Sequence, residues 1–190
     1  MDTAGIGGSN AAADRDGGRD PVLRLPLMEA ELAARATEAG DHPSVAELRT
    51  AIDDAKTAAE LGVRKSQLLF YSAFSDGDPE AMARVWSEVS HVRCVHPGMA
   101  SIEGREAVLN SWRQIFGATT RNDDSEQVFT IEPERVRIEI CGTTAICSCV
   151  EKTPNDGRLE ATNVYKRENG SWKMTLHQAG PVVVASSIGL

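Results

Sequence analysis

The stretch "HVRCVHPGMASIEGREAVLNSWRQIF", residues 91–116, changes its period halfway along. In its first part Val92, Cys94 and His96 project to one face of a strand while Arg93 and Val95 project to the other. Pro97-Gly98 stops that run. In its second part Val108, Trp112, Ile115 and Phe116 fall on one stripe of a helix. A strand ending in a histidine therefore leads into a helix that presents a tryptophan. The rest of the chain decides what stands around that pair.

Upstream the pattern is helical. In "SDGDPEAMARVW", residues 75–86, Asp76-Gly77 reads as a turn and Asp78 as an N-cap, and Pro79 suits a first helical position. The short helix that follows carries Met82, Val85 and Trp86. "LLFYSAF", residues 68–74, is apolar on nearly every side, as expected of a helix sunk in a core. Ser44-Val45-Ala46-Glu47 after Pro43 reads as a capping box, and Val45, Leu48, Ile52, Ala55 and Ala59 continue it as a stripe that needs a partner surface. Either a bend at Gly62 or one long helix fits this segment. Residues 27–39 make a weak helix ended by Gly40, with Met28 and Leu32 as its anchors.

Downstream of residue 127 the period becomes two, in "FTI", "VRIEI", "TAICSCVEK", "EATNVYKR" and "SWKMTLHQA". Cys141-Gly142-Thr143-Thr144, Asn155-Asp156-Gly157 and Glu168-Asn169-Gly170-Ser171 are turn signals between these runs. Helices first and an antiparallel meander after them predict an α+β fold, with the helices packed on one face of a curved sheet.

Composition sets the outer limits. A chain of 190 residues with 41% hydrophobic side chains supports one packed core. The formal charge of -8, from 28 acidic and 20 basic residues, argues against a nucleic-acid surface or a polybasic membrane anchor. No run of roughly 18 apolar residues offers a membrane span. Residues 1–20 hold almost no large apolar side chain, and the disordered tail is placed over residues 1–26, with a second tail at residues 185–190. Asp2, Asp14, Asp16 and Asp20 argue against an organelle transit peptide without excluding one. Nothing there resembles a secretory signal, so Cys94, Cys141, Cys147 and Cys149 are expected as reduced thiols in a cytoplasmic protein. Their spacing lacks the pairs that hold structural zinc, and no metal or cofactor is expected.

With these elements in place, residues 66–181 resemble the SnoaL-like branch of the nuclear transport factor 2-like superfamily. The likeness rests on "FYSAFSDGDPEAMARVW", "VRCVHPG", "IEGREAVLNSWRQIF" and "VYKRENGSWKMTLHQAGP", in that order. It implies a cone, in which a long helix and two shorter ones close a strongly bent antiparallel sheet around a cavity. It also implies a second copy packed on the outer sheet face. The domain is placed over residues 61–184, behind a helical extension at residues 27–60. The superfamily hosts polyketide cyclases, isomerases, dehydratases, association domains and binding modules, so the fold does not fix the function.

Two side chains are candidate acid–base groups. His96 ends the first strand, where a general base or a ligand-orienting imidazole would stand; the competing reading is a histidine bonded to backbone at a strand end. Glu151 shares a strand face with Ala145, Cys147 and Cys149, where desolvation would raise its pKa; the competing reading is a solvated carboxylate beside Lys152. Tyr71, Trp86, Trp112 and Cys149 complete the expected ligand cavity around them, although aromatic residues at such positions are more often core. His177 alternates with Trp172, Met174 and Leu176 on the last strand, which leaves open whether it faces the cavity or the outer sheet surface. Without a visible catalytic pair, the expectation is a homodimeric module binding a small apolar ligand. The alternative is a cyclase, isomerase or dehydratase acting on a small apolar carbonyl compound through His96 or Glu151.

Overall fold

Helix α2 (Pro43–Ser75) runs through Gly62 without a break and carries much of the interior. Its glycine serves packing rather than a bend, because a Cβ at Gly62 would lie 2.7 Å from Cδ1 of Trp172. The computed structural model describes residues 20–36, 43–119 and 130–182. Val45, Ile52, Ala55 and Ala59 are buried on the stripe expected of them, with Leu48 partly buried beside the core. Pro43 takes the first helical position, so Ser44 lies inside the first turn and not ahead of it, which corrects the capping-box reading. The run at residues 68–74 is corrected as well. Phe70, Tyr71 and Ala73 are buried, but Leu68 and Leu69 are 65% and 53% exposed, because only one side of α2 meets the sheet.

Helix α1 (Pro21–Ala36) starts at Pro21, ahead of the expected residue 27. Val22 and Leu25 are its buried anchors. Asp20 accepts from the amide of Val22 at 3.0 Å and from Nε of Arg167 at 2.8 Å, which ties the helix start to the sheet. Residues 20–26 are therefore structured, and the tail boundary at 26 moves back. The remaining tail expectations, and Gly40, lie outside the described residues. Helix α3 (Pro79–Val85) is capped by Asp78, whose carboxylate accepts from the Ala81 amide at 2.8 Å. Strands β1 (Arg93–Val95) and β2 (Ile102–Glu103) lead into α4 (Arg105–Thr119), on which Val108, Trp112 and Phe116 are buried.

Four long strands follow: β3 (Glu132–Cys141), β4 (Thr144–Lys152), β5 (Arg158–Glu168) and β6 (Ser171–Pro181). The sheet order is β2-β1-β6-β5-β4-β3. The β5–β6 hairpin turns on Asn169 and Gly170, both at positive φ, as the Asn-Gly signal requires. The sheet is mixed rather than antiparallel throughout, because β1 runs parallel to β6. That direction is set before the strand begins: Trp86 bridges Met174 in parallel, and the Ser87 amide donates to the Met174 carbonyl at 2.9 Å.

One irregularity places the interior of β6. Val164 pairs with Leu176 but Tyr165 pairs with Met174, so Thr175 is an extra residue in that strand. The bulge resets the alternation, and Trp172 and Met174 share the helix-covered face with His177 and Ala179. His177 thus faces inward, which resolves the two readings of its parity. On the opposite face Glu139, Thr162, Lys166 and Gln178 are exposed. Among the described residues no helix is long and apolar enough to cross a membrane.

Candidate functional site

The interior between α2 and the sheet holds a chain of polar groups where an apolar core would be the default. Gln67, one turn below Tyr71 on the buried stripe of α2, is at its centre. Its carbonyl oxygen accepts from Nδ2 of Asn163 at 3.0 Å and from the hydroxyl of Tyr165. Its amide nitrogen donates to the Tyr71 hydroxyl at 3.2 Å and to Sγ of Cys149 at 3.6 Å. Tyr71 in turn donates to Oε1 of Glu151 at 2.9 Å, with Cys149 Sγ 3.3 Å from the same hydroxyl. At the far end Nδ1 of His177 lies 2.7 Å from Oδ1 of Asn163. Since that oxygen can only accept, His177 carries its proton on Nδ1. Every donor in the series His177, Asn163, Gln67, Tyr71 therefore points toward Glu151.

A second group adjoins the first. His96 lies 2.9 Å from Oγ of Ser111, whose own proton goes to the Val108 carbonyl at 2.7 Å. Ser111 must then accept, so His96 donates through Nε2 and keeps Nδ1 as an acceptor, with Cys94 Sγ 3.8 Å from Nδ1 and 3.7 Å from Nε2. The imidazole meets the edge of Trp112 with centroids 4.6 Å apart, and Trp112 and Phe70 both touch His177, at 5.9 and 4.9 Å. The two histidines stand on either side of one aromatic cluster.

Burial dominates the electrostatics. It pushes the Glu151 carboxyl up to about 7, against the single Tyr71 hydrogen bond that pulls it down. The carboxyl is 1% exposed, and among the described residues no cation pairs with it. Burial, with His96 adding to it, holds His177 down at about 3, and burial lowers His96 too, so both rings stay neutral. The thiols of Cys94 and Cys149 are pushed up to about 12 and about 11, which keeps them protonated and poor nucleophiles. Glu151 is the group in this cluster that divides between its two protonation states near neutrality, which suits it to passing a proton either way.

The structure brings Tyr71, Cys149 and Glu151 into direct contact, and His96 against Trp112. The solvated reading of Glu151 falls, because the strand end carries it inward with Cys147 and Cys149. The backbone-bonded reading of the His96 ring falls as well, since its partner is the Ser111 side chain. Trp86 is not part of the group: it is fully buried in the core beside Met174 and pairs with no ring among the described residues. Three members were missed. Gln67 interrupts an otherwise apolar stripe, and Asn163 and Tyr165 sit in register with buried Ala161 on β5. A lone polar residue at a core position was the available signal. The bulge at Thr175 left none.

Helices over one face of a bent six-stranded sheet, with a buried carboxyl between them, define an α+β fold of the cone type. The chain belongs to the SnoaL-like domain family, which matches residues 63–184. A protein of the NTF2-like family from Streptomyces avermitilis, provisionally named a dehydratase, is 27% identical with a TM-score of 0.58, over 68% of this chain and 99% of that one. A protein from Thiobacillus denitrificans, provisionally named a calcium/calmodulin-dependent protein kinase type II association domain, is 33% identical with a TM-score of 0.54, over 62% of this chain and 93% of that one. The F-box protein SKIP8 of Arabidopsis thaliana is 27% identical over 116 residues, or 60% of this chain. The match spans 47% of that curated relative's length.

Proposed function

We propose that the interior site is an acid–base centre acting on a small apolar carbonyl compound, in a reaction of the isomerase, cyclase or dehydratase kind. The observation that carries this reading is Glu151: a carboxyl on a residue 1% exposed, raised to about 7 and hydrogen-bonded to a phenol. Such a group removes a proton from carbon next to a carbonyl as the carboxylate and returns it as the acid. Tyr71, whose own proton burial holds firmly, fixes the carboxyl's orientation and stays protonated. In this reading His96, neutral with Nδ1 unprotonated, and the rings of Phe70 and Trp112, which pack on one another, would border the carbonyl compound. The Streptomyces relative's provisional name agrees with this class. The test is exchange of α-protons of cyclohexanone for solvent deuterium, followed by proton NMR. Catalysed exchange by the protein that is lost in Glu151→Gln supports the reading; equal rates for the two proteins overturn it.

A second reading, a homodimeric association module, draws on the outer sheet face. Ile146, Val164 and Leu176 lie in register across β4, β5 and β6, with Glu139 and Arg93 at the two ends of the row. A two-fold axis along β5 would set these apolar residues against their counterparts and Glu139 against Arg93 of the second copy. The Thiobacillus relative, provisionally named an association domain, is in line with it. The two readings are compatible, because they use opposite faces of one sheet.

A further inference from the structure

At the end of the β5–β6 hairpin farthest from Glu151, a pocket of about 230 Å³ opens between α2, the end of α3 and the hairpin. Lys65, Arg84, Arg167 and Lys173 line it, and no acidic residue does. On a chain with a formal charge of -8, four cations gathered on one concavity are a local reversal of sign. Arg167 is neutralised by Asp20, with Nε 2.8 Å from the carboxylate. Lys173 donates to the Arg84 carbonyl at 2.6 Å, a neutral acceptor that leaves its charge in place. Among the described residues Lys65 and Arg84 take part in no ion pair. Three positive charges are thus uncompensated around one small volume.

The floor adds an apolar wall. The indole of Trp172 is 3% exposed, and its Nε1–H is buried with no acceptor among the described residues. That nitrogen lies beside Gly62, where a Cβ would be only 2.9 Å away. The glycine lets the indole pack directly against α2 at this level. Arg167 stacks over the Trp172 ring at 5.8 Å, which fixes the indole, and Leu69, 53% exposed, supplies an apolar rim. A pocket below the roughly 300–1,000 Å³ of drug-sized sites takes a compact ligand.

We infer that this pocket binds a phosphate monoester of a small apolar alcohol or phenol, the dianion meeting Lys65, Arg84 and Lys173 and the organic part lying on Leu69 and Trp172. A phosphate monoester dianion offers three terminal oxygens and two charges to these donors, where a monocarboxylate offers two oxygens and one charge. The site is independent of the acid–base centre. Isothermal titration calorimetry at fixed ionic strength, with phenyl phosphate and separately with inorganic phosphate, tests it. Saturable binding of phenyl phosphate with a Kd of about 1 mM or tighter is expected, and weaker binding of inorganic phosphate. The Lys65→Gln/Arg84→Gln double variant, whose two side chains are exposed and leave the core untouched, should weaken phenyl phosphate at least about tenfold. Glu151→Gln should bind it as the parent does. Absence of saturation by about 10 mM, an unchanged affinity in the double variant, or inorganic phosphate binding as tightly as phenyl phosphate would each overturn the inference.

Discussion

The two faces of the central sheet use the same strands for opposite ends. On the inner face Cys149, Glu151, Asn163, Tyr165 and His177 are buried against α2, and they are hydrogen-bonded to one another and to Gln67 and Tyr71 of that helix. On the outer face Ile146, Val164 and Leu176 form an apolar row bounded by Glu139 and Arg93. A polar cluster lies inside and an apolar row outside, the reverse of what burial alone would arrange for those residues. The inner inversion is tolerated because each donor in the series from His177 to Tyr71 has an acceptor at bonding distance; the outer row is what the proposed dimer would cover. One face is thus organised around orientation, and the other is the one on which the proposed dimer rests.

If the inner chain is one cooperative network, cutting its centre is the most damaging single change. Gln67→Leu removes the acceptor shared by Asn163 and Tyr165 and the donor to Tyr71 at one stroke. Stranding several buried polar groups should lower stability by about 3–5 kcal/mol, read from the urea midpoint. A loss under about 1 kcal/mol would show that the groups act separately and that the inner face is ordinary core.

Glu151 sharpens the same contrast through pH. Its folded value of about 7 lies above its ordinary 4.5, so the folded state holds a proton that the unfolded chain has released. The favourable contribution is complete below 4.5 and is lost as pH rises to about 7. At about 1.4 kcal/mol per pH unit that interval amounts to about 3 kcal/mol. His177 acts in the other direction: its value of about 3 lies below the ordinary 6.5, so its contribution is present above 6.5 and is lost as pH falls toward 3. The two effects overlap in the parent protein. The Glu151→Gln variant separates them, since the difference between its stability and the parent's should change with pH by about 3 kcal/mol between pH 4.5 and 7 and stay flat above. A difference independent of pH would mean that Glu151 titrates as a solvated carboxylate.

A smaller effect belongs to His96. Replacing it by Gln removes a donor from Ser111 and an aromatic edge from Trp112. Stability should drop by about 1–3 kcal/mol. Loss of α-proton exchange without that drop would assign the ring to the reaction alone.

Much of this contrast was legible in the sequence. Asp78-Pro79 and Asn169-Gly170 announced the start of α3 and the β5–β6 turn, because the chemistry of those residues acts locally. The pairing of His96 with Trp112 followed from order along the chain. The orientation of His177 did not. It depends on one extra residue, Thr175, and a bulge leaves no mark on hydrophobic alternation. Gln67 and Asn163 were legible only as polar intruders on apolar faces, and their meaning required knowing that α2 lies across β5. The early start of α1 escaped because its anchors, Val22 and Leu25, and its tie from Asp20 to Arg167 span 147 positions.

The outer face yields the smallest effect on the protomer and tests the comparison from its other side. Ile146 is 40% exposed, so Ile146→Lys should change the folding stability of a single chain by no more than about 0.5 kcal/mol. What should change is assembly. In a dimer across this face the lysine would be buried without a partner, and sedimentation velocity should return a monomer where the parent is a dimer. Charge offers a finer check, because Glu139 and Arg93 close the two ends of the row. Glu139→Arg alone would oppose like charges across the two-fold axis and weaken the dimer, while Glu139→Arg combined with Arg93→Glu restores the pairing with its signs exchanged. Recovery in the double variant requires the two residues to meet across copies, since within one chain they lie on β3 and β1, at opposite sides of the sheet. A parent protein that sediments as a monomer at high micromolar concentration would leave the apolar row without an occupant and the contrast between the faces without its second half.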